Sequence, residues 1–180
     1  MIKIGITGSI SSGKSTVSKF LSENKHPIFN ADKSVAHIYK KNSFKKKIIK
    51  IFKIQDKQNI KREIKKILFK DNKSLKKLEQ ILHPQVRKKR AIFVKKNKNK
   101  KILIFEIPLL IESKLMKDYD IIILVKSKKK IRLNRYLKKK NNKDLFNLLD
   151  RKQMGPNKKT KYSNYVINNN SSIEELKKKV

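Results

Sequence analysis

A glycine-rich motif close to the start of the chain constrains the fold more than any other feature. Residues 8–15 read Gly-Ser-Ile-Ser-Ser-Gly-Lys-Ser, which fits the pattern G-x-x-x-x-G-K-[ST] without a mismatch. The apolar segment Ile2–Thr7 predicts a short buried strand before the motif, and Thr16–Leu21 begins a helical pattern after it. A strand, a glycine-rich turn and a helix in this order form the phosphate-binding loop, or P-loop. The motif therefore predicts an α/β fold.

The residue types of this loop suit a nucleoside triphosphate. Glycines permit backbone angles that let successive N–H groups surround phosphate oxygens, and the N-terminal end of the following helix attracts the same anion. Lys14 is expected to contact the β- and γ-phosphates, and the Ser15 hydroxyl to bind Mg²⁺, with Thr16 near the α-phosphate. The residues predicted to bind ATP are Ser9, Ile10, Ser11, Ser12, Gly13, Lys14, Ser15 and Thr16.

Strands and helices alternate along the rest of the chain, which predicts a parallel sheet with helices on both faces. The further strands are expected at Pro27–Asn30, Ile102–Glu106, Tyr119–Val125 and Val166–Asn168. The helices are expected at Ala31–Tyr39, Phe44–Phe52, Ile60–Phe69, Leu75–Leu82, Gln85–Lys96, Lys128–Asn142 and Ile173–Val180. The break at His83-Pro84 is expected because proline disfavours a helical conformation in the residue before it.

The net charge of the chain is extreme, with 50 Lys and Arg against 14 Asp and Glu, formally +36. Such a charge is typical of a nucleic-acid or membrane-surface protein. Lysine far outnumbers arginine, however, and Asn and Ile are also abundant, as an AT-rich genome would produce without selection for a polyanion. A nucleic-acid surface more often uses arginine, whose planar fork fits phosphate and guanine. We therefore expect no specific nucleic-acid partner.

Other features indicate a cytoplasmic protein. The chain has no cysteine, which excludes disulfides and thiolate metal sites. No apolar run reaches the ~20 residues that span a membrane, and the N-terminus lacks the order of features found in a signal peptide. No membrane partner is expected, and nothing in the sequence requires more than a monomer.

The rest of the chain favours a kinase among P-loop proteins. A chain of 180 residues has little room for the machinery of an ATPase motor. The guanine-reading pattern N-K-x-D of GTPases is absent, since Asn142-Lys143-Asp144 lacks the spacing residue. Asp32 follows the second predicted strand, where a parallel sheet would place it near the γ-phosphate and let it accept the proton of an attacking hydroxyl. Asp32 is alternatively a helix N-cap.

Motifs beyond the loop resemble those of the dephospho-CoA kinase family, in family order over nearly the whole chain. The family loop T-G-G-I-G-S-G-K-S-T is matched by residues 7–16, and its D-A-D by Asn30-Ala31-Asp32. Two short blocks follow, Ile60-Lys61-Arg62 for the family L-D-R and Phe69-Lys70-Asp71 for F-x-(D/N). Residues 78–86 correspond to L-E-x-I-x-H-P-x-(I/V). Residues 106–112 correspond to D-x-P-L-L-x-E, and residues 163–169 to A-D-x-V-I-x-N.

The sequence departs from the family pattern at several positions. Asn30 and Glu106 replace family aspartates, and Ser163-Asn164 replaces the late A-D. In the lid pattern Q-x-x-R-x-x-x-R the glutamine has become Arg132 and the second arginine Lys139, so only Arg135 carries over. Lysine keeps the charge of arginine without its planar fork.

The resemblance implies a nucleoside-monophosphate-kinase-like fold with a parallel five-stranded sheet. It implies one P-loop kinase domain over 1–180, with its core at 1–32, 101–127 and 160–180. A helical acceptor-binding insertion is expected at about 33–100, and a lid at about 128–159. The implied reaction is phosphorylation of the ribose 3′-hydroxyl of dephospho-CoA by ATP with Mg²⁺.

The same resemblance assigns site residues, with open alternatives. Asp32 would be the base, and Lys14 and Arg135 would offset charge on the transferred phosphoryl group. The acceptor would contact Asp32, Arg62, His83 and Pro108. His83 is alternatively a helix-terminus histidine and Arg62 part of a solvated helix face. The remaining alternatives for the whole chain are another small-molecule or nucleotide kinase, or an ATPase stimulated by nucleic acid.

Overall fold

The computed structural model describes residues 1–56, 59, 60, 62–64, 67, 72–139 and 142–180. The chain divides into two compact units. The first, called here the sheet unit, consists of Met1–Asn30 and Lys96–Val180, and the second, the helical unit, is Ala31–Lys95.

The sheet unit is built on a parallel sheet, which has five strands in the described part of the chain. They are β1 Ile2–Thr7, β2 Ile28–Asn30, β3 Ile102–Glu106, β4 Ile121–Lys126 and β5 Tyr165–Asn168, in the order β2-β3-β1-β4-β5. All four pairings are parallel. The strands β3 and β4 contain continuous apolar runs at residues 102–105 and 121–125. Such runs are typical of parallel strands that helices cover on both faces. The five-stranded parallel sheet predicted from the sequence is confirmed.

The strand register places the ends of three strands at one edge of the sheet. Ile6 of β1 is opposite Glu106 of β3, and Glu106 is opposite Asn30 of β2. Thr7, the last residue of β1, is opposite Leu124 of β4. The loop that follows β1 therefore begins beside the carboxyl ends of its neighbours, where ligands bind in open α/β sheets.

The helices follow the strands in the order that the alternating pattern predicts. They are α1 Lys14–Ser22, α2 Ala31–Lys40, α3 Asn42–Phe52, α4 Asn72–Lys96, α5 Lys129–Leu137, α6 Lys143–Arg151, α7 Pro156–Thr160 and α8 Ile173–Lys178, with a 3₁₀ turn at Met116–Asp118. Residues 60, 62–64 and 67 are also helical. One hydrophobic core cluster of the sheet unit contains Ile6, Val17, Ile104, Ile123, Val125, Ile167 and Leu176. No helix in the described ranges is long and apolar enough to cross a membrane.

The helical unit has a hydrophobic core of its own. Its buried members are Ile38, Phe44, Ile48, Ile54, Ile64, Leu78 and Leu82. Tyr39 packs edge-on against Phe44, with ring centroids 5.1 Å apart. The family block Phe69-Lys70-Asp71 and residue Lys61 lie outside the described residues.

The helix break predicted at His83-Pro84 is wrong, because α4 continues through Pro84. Proline removes one backbone N–H and so one helical hydrogen bond. Leu78, Leu82 and Val86, four residues apart, pack on the same core on both sides of the proline. This packing holds the two halves of α4 in one helix.

Two helices of the sheet unit were not predicted. Asn142 caps α6, since its Oδ1 accepts hydrogen bonds from the backbone N–H groups of Asp144 and Leu145 at 2.6 and 3.2 Å. Pro156 stands in the first turn of α7, where its missing N–H costs nothing. The basic helix α5 ends at Leu137, not at Asn142 as predicted.

Candidate active site

The backbone of the loop between β1 and α1 has the curvature of a phosphate cradle. Gly8, Ser11 and Gly13 have φ angles of 149°, 55° and 101°. A Cβ atom at Gly8 would meet the carbonyl oxygen of Val125, and one at Gly13 would meet the side chain of Asn169. Glycine is thus required at both positions for conformation and for space.

Lys14, the first residue of α1, folds back over the loop. Its ammonium group donates hydrogen bonds to the carbonyl oxygens of Gly8 and Ser9, at 3.0 Å each. The residue is only 7% exposed. The structure therefore holds the positive charge inside the loop.

Ser15, Glu106 and Asn30 form a hydrogen-bonded chain across the ends of the strands. The Ser15 hydroxyl donates to Glu106 Oε1 at 2.6 Å, and Asn30 Nδ2 donates to Glu106 Oε2 at 2.6 Å. Glu106 is 4% exposed. Its carboxylate is therefore fixed next to the serine that the sequence predicts to bind Mg²⁺. Asn30 supplies a hydrogen-bond donor where the family aspartate would bring a second negative charge.

The loop is also tied to the far end of the sheet by Asn169, directly after β5. Asn169 Nδ2 donates to the carbonyl oxygen of Ser12 at 2.8 Å. Arg135 Nη2 donates to Asn169 Oδ1 at 3.1 Å, and Arg135 Nη1 donates to the Asn169 carbonyl at 3.2 Å. Burial lowers the pKa of Arg135 from its usual value. Arg135 thus lies beside the P-loop, held by Asn169.

The segment predicted to be a lid makes two further contacts with the loop at Ile10. The Gln153 side chain accepts a hydrogen bond from the Ile10 N–H at 2.9 Å, and Arg132 Nη1 donates to the Ile10 carbonyl at 3.4 Å. Arg132 is paired with Asp150 at 2.6 Å and lies over the ring of Phe146. The charge of Arg132 is therefore paired with a carboxylate of α6.

The segment after β3 is fixed by a buried ion pair. Lys159 of α7 is completely buried, and its ammonium group lies 2.9 Å from Glu112 Oε1. It also donates to the Pro108 carbonyl at 3.1 Å, which accepts a second bond from the Thr7 hydroxyl at 2.9 Å. Pro108, predicted to contact the acceptor, thus lies where α7, β3 and the start of the P-loop meet.

The other predicted site residues belong to the helical unit. Asp32 is the second residue of α2, so it lies in the first turn and not at the N-cap position. A carboxylate in the first turn is stabilised by the helix dipole. Arg62 and His83 are both helical and exposed, and His83 lies within α4 and not at a helix end. The roles predicted for these three residues stay predictions.

Three residues with contacts at the P-loop edge were not predicted from the sequence, namely Gln153, Lys159 and Asn169. Asn169 ends the V-I-x-N block and could have been noticed there. Gln153 and Lys159 stand in a lysine-rich segment without a periodic pattern, and each contacts a partner more than 40 residues away in the chain. Such pairings leave no local signal in a sequence.

Comparison with known proteins gives a consistent result. A model of the dephospho-CoA kinase family matches residues 2–175. The dephospho-CoA kinase of Fusobacterium nucleatum is 41% identical, over 98% of this chain and 94% of that protein. That of Aquifex aeolicus is 34% identical, over the whole of this chain and 94% of the relative.

A solved structure agrees in fold. The crystal structure of TT1252 from Thermus thermophilus superposes with a TM-score of 0.79 at 27% identity, over 97% of this chain and 92% of that one. The resemblance inferred from the motifs is confirmed, and the chain belongs to the dephospho-CoA kinase family.

Proposed function

We propose that this chain transfers the γ-phosphoryl group of ATP to the ribose 3′-hydroxyl of dephospho-CoA, giving CoA and ADP. The observation that carries the proposal is the family match over residues 2–175, which includes the complete P-loop. The substrates follow from the relatives, and the residues named below are proposed to act on them.

The P-loop residues 9–16 bind the phosphates of ATP in this proposal. Lys14, held inside the loop by the carbonyls of Gly8 and Ser9, exchanges these contacts for the β- and γ-phosphate oxygens. Charge on these oxygens changes during transfer, so a fixed ammonium group stabilises the transition state. Arg135 adds a second positive charge on the side of the loop nearest Gly13.

Ser15 and Glu106 are suited to hold Mg²⁺. A hydroxyl and a carboxylate oxygen 2.6 Å apart are hard oxygen donors of the kind Mg²⁺ prefers. Among the described residues no group of three His, Asp or Glu side chains could enclose a metal ion. Mg²⁺ at kinase sites usually takes one or two protein ligands and completes its shell with water and substrate phosphates. When bound, Mg²⁺ would offset the negative charge of the phosphate oxygens.

Asp32 is the residue proposed to activate the acceptor. Its carboxylate takes the proton of the 3′-hydroxyl while the hydroxyl oxygen bonds to the γ-phosphorus and the bond to the β–γ bridging oxygen breaks. Arg62, His83 and Pro108 would bind the acceptor.

In the same proposal the helical unit binds dephospho-CoA and residues 128–159 cover ATP, which limits hydrolysis by water.

The test is an assay of ADP release by the purified full chain with ATP and Mg²⁺. We expect release to require dephospho-CoA and to stop when EDTA is added. CoA, which already carries the 3′-phosphate, should not replace dephospho-CoA. No stimulation by dephospho-CoA, or stronger stimulation by shikimate, a deoxynucleoside or RNA, would overturn the proposal. Light scattering of the same sample tests the further expectation that the chain is a monomer.

A further inference from the structure

Asn169 is a polar side chain that is almost completely buried next to the P-loop. It is 5% exposed and follows the last residue of β5. Its own backbone N–H is bonded to the carbonyl of Lys126 at 2.8 Å, which extends the pairing of β4 and β5 by one residue. The sheet therefore fixes the backbone from which the side chain projects.

The two ends of the Asn169 amide bind different partners. The Nδ2 end donates to the Ser12 carbonyl at 2.8 Å, and the Oδ1 end accepts from Arg135 at 3.1 Å. The Arg135 guanidinium also binds the Asn169 backbone carbonyl at 3.2 Å. One side chain thus joins the backbone of the P-loop to a cation carried by α5.

The space around Gly13 reinforces this link. A Cβ atom at Gly13 would overlap the Asn169 amide and would lie 4.0 Å from Arg135 Nη1. The guanidinium is therefore close to the turn that opens α1, where backbone N–H groups face a bound phosphate. A shift of Asn169 would move both the charge of Arg135 and the Ser12–Gly13 peptide.

We propose that Asn169 is a positioning residue that couples Arg135 to the P-loop and thereby sets the affinity for ATP. Because one amide holds both groups, the loss of Asn169 releases both together. The inference rests on the proposed use of ATP, but not on the identity of the acceptor.

The experiment is a double-mutant cycle on ATP affinity, measured by equilibrium titration with ATP and Mg²⁺ and without acceptor. The four proteins are the wild type, Asn169→Ala, Arg135→Ala and the double variant. We expect each single variant to bind ATP at least about fivefold more weakly, and the double variant to be little weaker than the worse single variant, since contacting residues are energetically coupled. Affinity losses that multiply in the double variant would overturn the proposal.

Asn168→Ala is the matched control. Asn168 is the neighbouring residue, is exposed, and lies on the opposite face of the strand. We expect wild-type ATP affinity for this variant. If Asn169→Ala also keeps wild-type affinity and only its melting temperature falls, Asn169 has a structural role alone and the proposal is wrong.

Asn169→Asp provides a second variant of the same shape. It keeps an oxygen for Arg135 and loses the donor to Ser12, so two oxygens then face each other. We expect ATP affinity to fall at least about fivefold again. Wild-type affinity would overturn the claim that the bond to Ser12 matters.

The test separates this inference from the proposed function. A wild-type chain that binds ATP but does not phosphorylate dephospho-CoA overturns the proposed acceptor, and the cycle on ATP affinity still decides the role of Asn169. A wild-type chain that binds no ATP overturns both.

Discussion

At the scale of single residues, the P-loop lysine has the most direct consequence. Lys14→Ala removes the ammonium group that the carbonyls of Gly8 and Ser9 hold inside the loop. We expect kcat to fall by at least about 10²-fold because this charge meets charge that develops in the transition state. Steady-state kinetics with dephospho-CoA measures the effect.

Lys19→Ala serves as the control for Lys14, since Lys19 lies on the exposed side of the same helix. Its activity and circular dichroism spectrum should match those of the wild type. Wild-type turnover in a folded Lys14→Ala protein would contradict the assignment of residues 8–15 as a phosphate-binding loop.

The role of Asp32 is tested by a change that removes its basicity and keeps its size. In Asp32→Asn we expect kcat with dephospho-CoA to fall by about 10²-fold or more, since a carboxylate is needed to accept the hydroxyl proton. Affinity for ATP, measured by titration, should change little.

Asp144→Asn is a matched control for the helix position of Asp32. Asp144 is the second residue of α6, as Asp32 is of α2, and both side chains are exposed. Each substitution should cost a similar ~0.3–1 kcal/mol of interaction with its helix dipole. If Asp32→Asn is as active as Asp144→Asn, Asp32 only stabilises the N-terminal turn of α2, and the catalytic base is another residue.

At the scale of elements, α7 is held by one buried cation. Lys159→Ala leaves Glu112, whose Oε1 is bonded to Lys159 and to the Met154 N–H, without its counter-charge. Removing one partner of a buried ion pair typically costs about 3–5 kcal/mol. We expect the free energy of unfolding in urea to fall by about that amount.

Lys158→Ala is the control for this change, since the neighbouring Lys158 is exposed. Its unfolding free energy should lie within about 0.5 kcal/mol of the wild type, as is usual for surface substitutions. Equal stability of the two variants would mean that the Lys159–Glu112 pair contributes nothing to holding α7.

Elements with strong local patterns were predictable, and contacts between distant segments were not. The strand Ile102–Glu106 has the predicted bounds, because a dense apolar run ends at a proline-containing turn. Pro84 misled the prediction for α4, since tertiary packing on both sides outweighed the local preference. Lys159 lies among other lysines in the sequence, and a lysine-rich segment is normally exposed. Its complete burial therefore could not be predicted.

The candidate site was predictable only in part for the same reason. The P-loop is a continuous motif, and its residues could be named from the sequence. The bond between Ser15 and Glu106 joins residues 91 positions apart, and that between Asn169 and Ser12 spans 157. Only the sheet order brings these pairs together.

At the scale of the whole molecule, the net charge of +36 makes a distinct prediction. We expect DNA and RNA to bind weakly and without sequence preference, and the affinity to fall steeply as salt rises toward about 0.15 M, because counterion release dominates such binding. Fluorescence anisotropy with oligonucleotides of different sequence measures this. A tight complex at physiological salt that prefers one sequence or structure would contradict the prediction and favour the nucleic-acid-stimulated ATPase.

The insertion of the helical unit between β2 and β3 has a consequence for the order of folding. These strands are hydrogen-bonded neighbours, yet about 70 residues separate them in the chain, so their pairing must close a long loop at an entropic cost. The inserted residues have a hydrophobic core of their own. Contacts over shorter sequence separations form faster than the pairing of β2 with β3. We expect amide protection in a pulse-labelled refolding experiment to appear in α2 and α3 before β2. Newly made chains would then pass through an intermediate in which β2 has not yet paired with the edge of β3. An unpaired strand edge can bind another chain, so this intermediate would be the species most prone to aggregate.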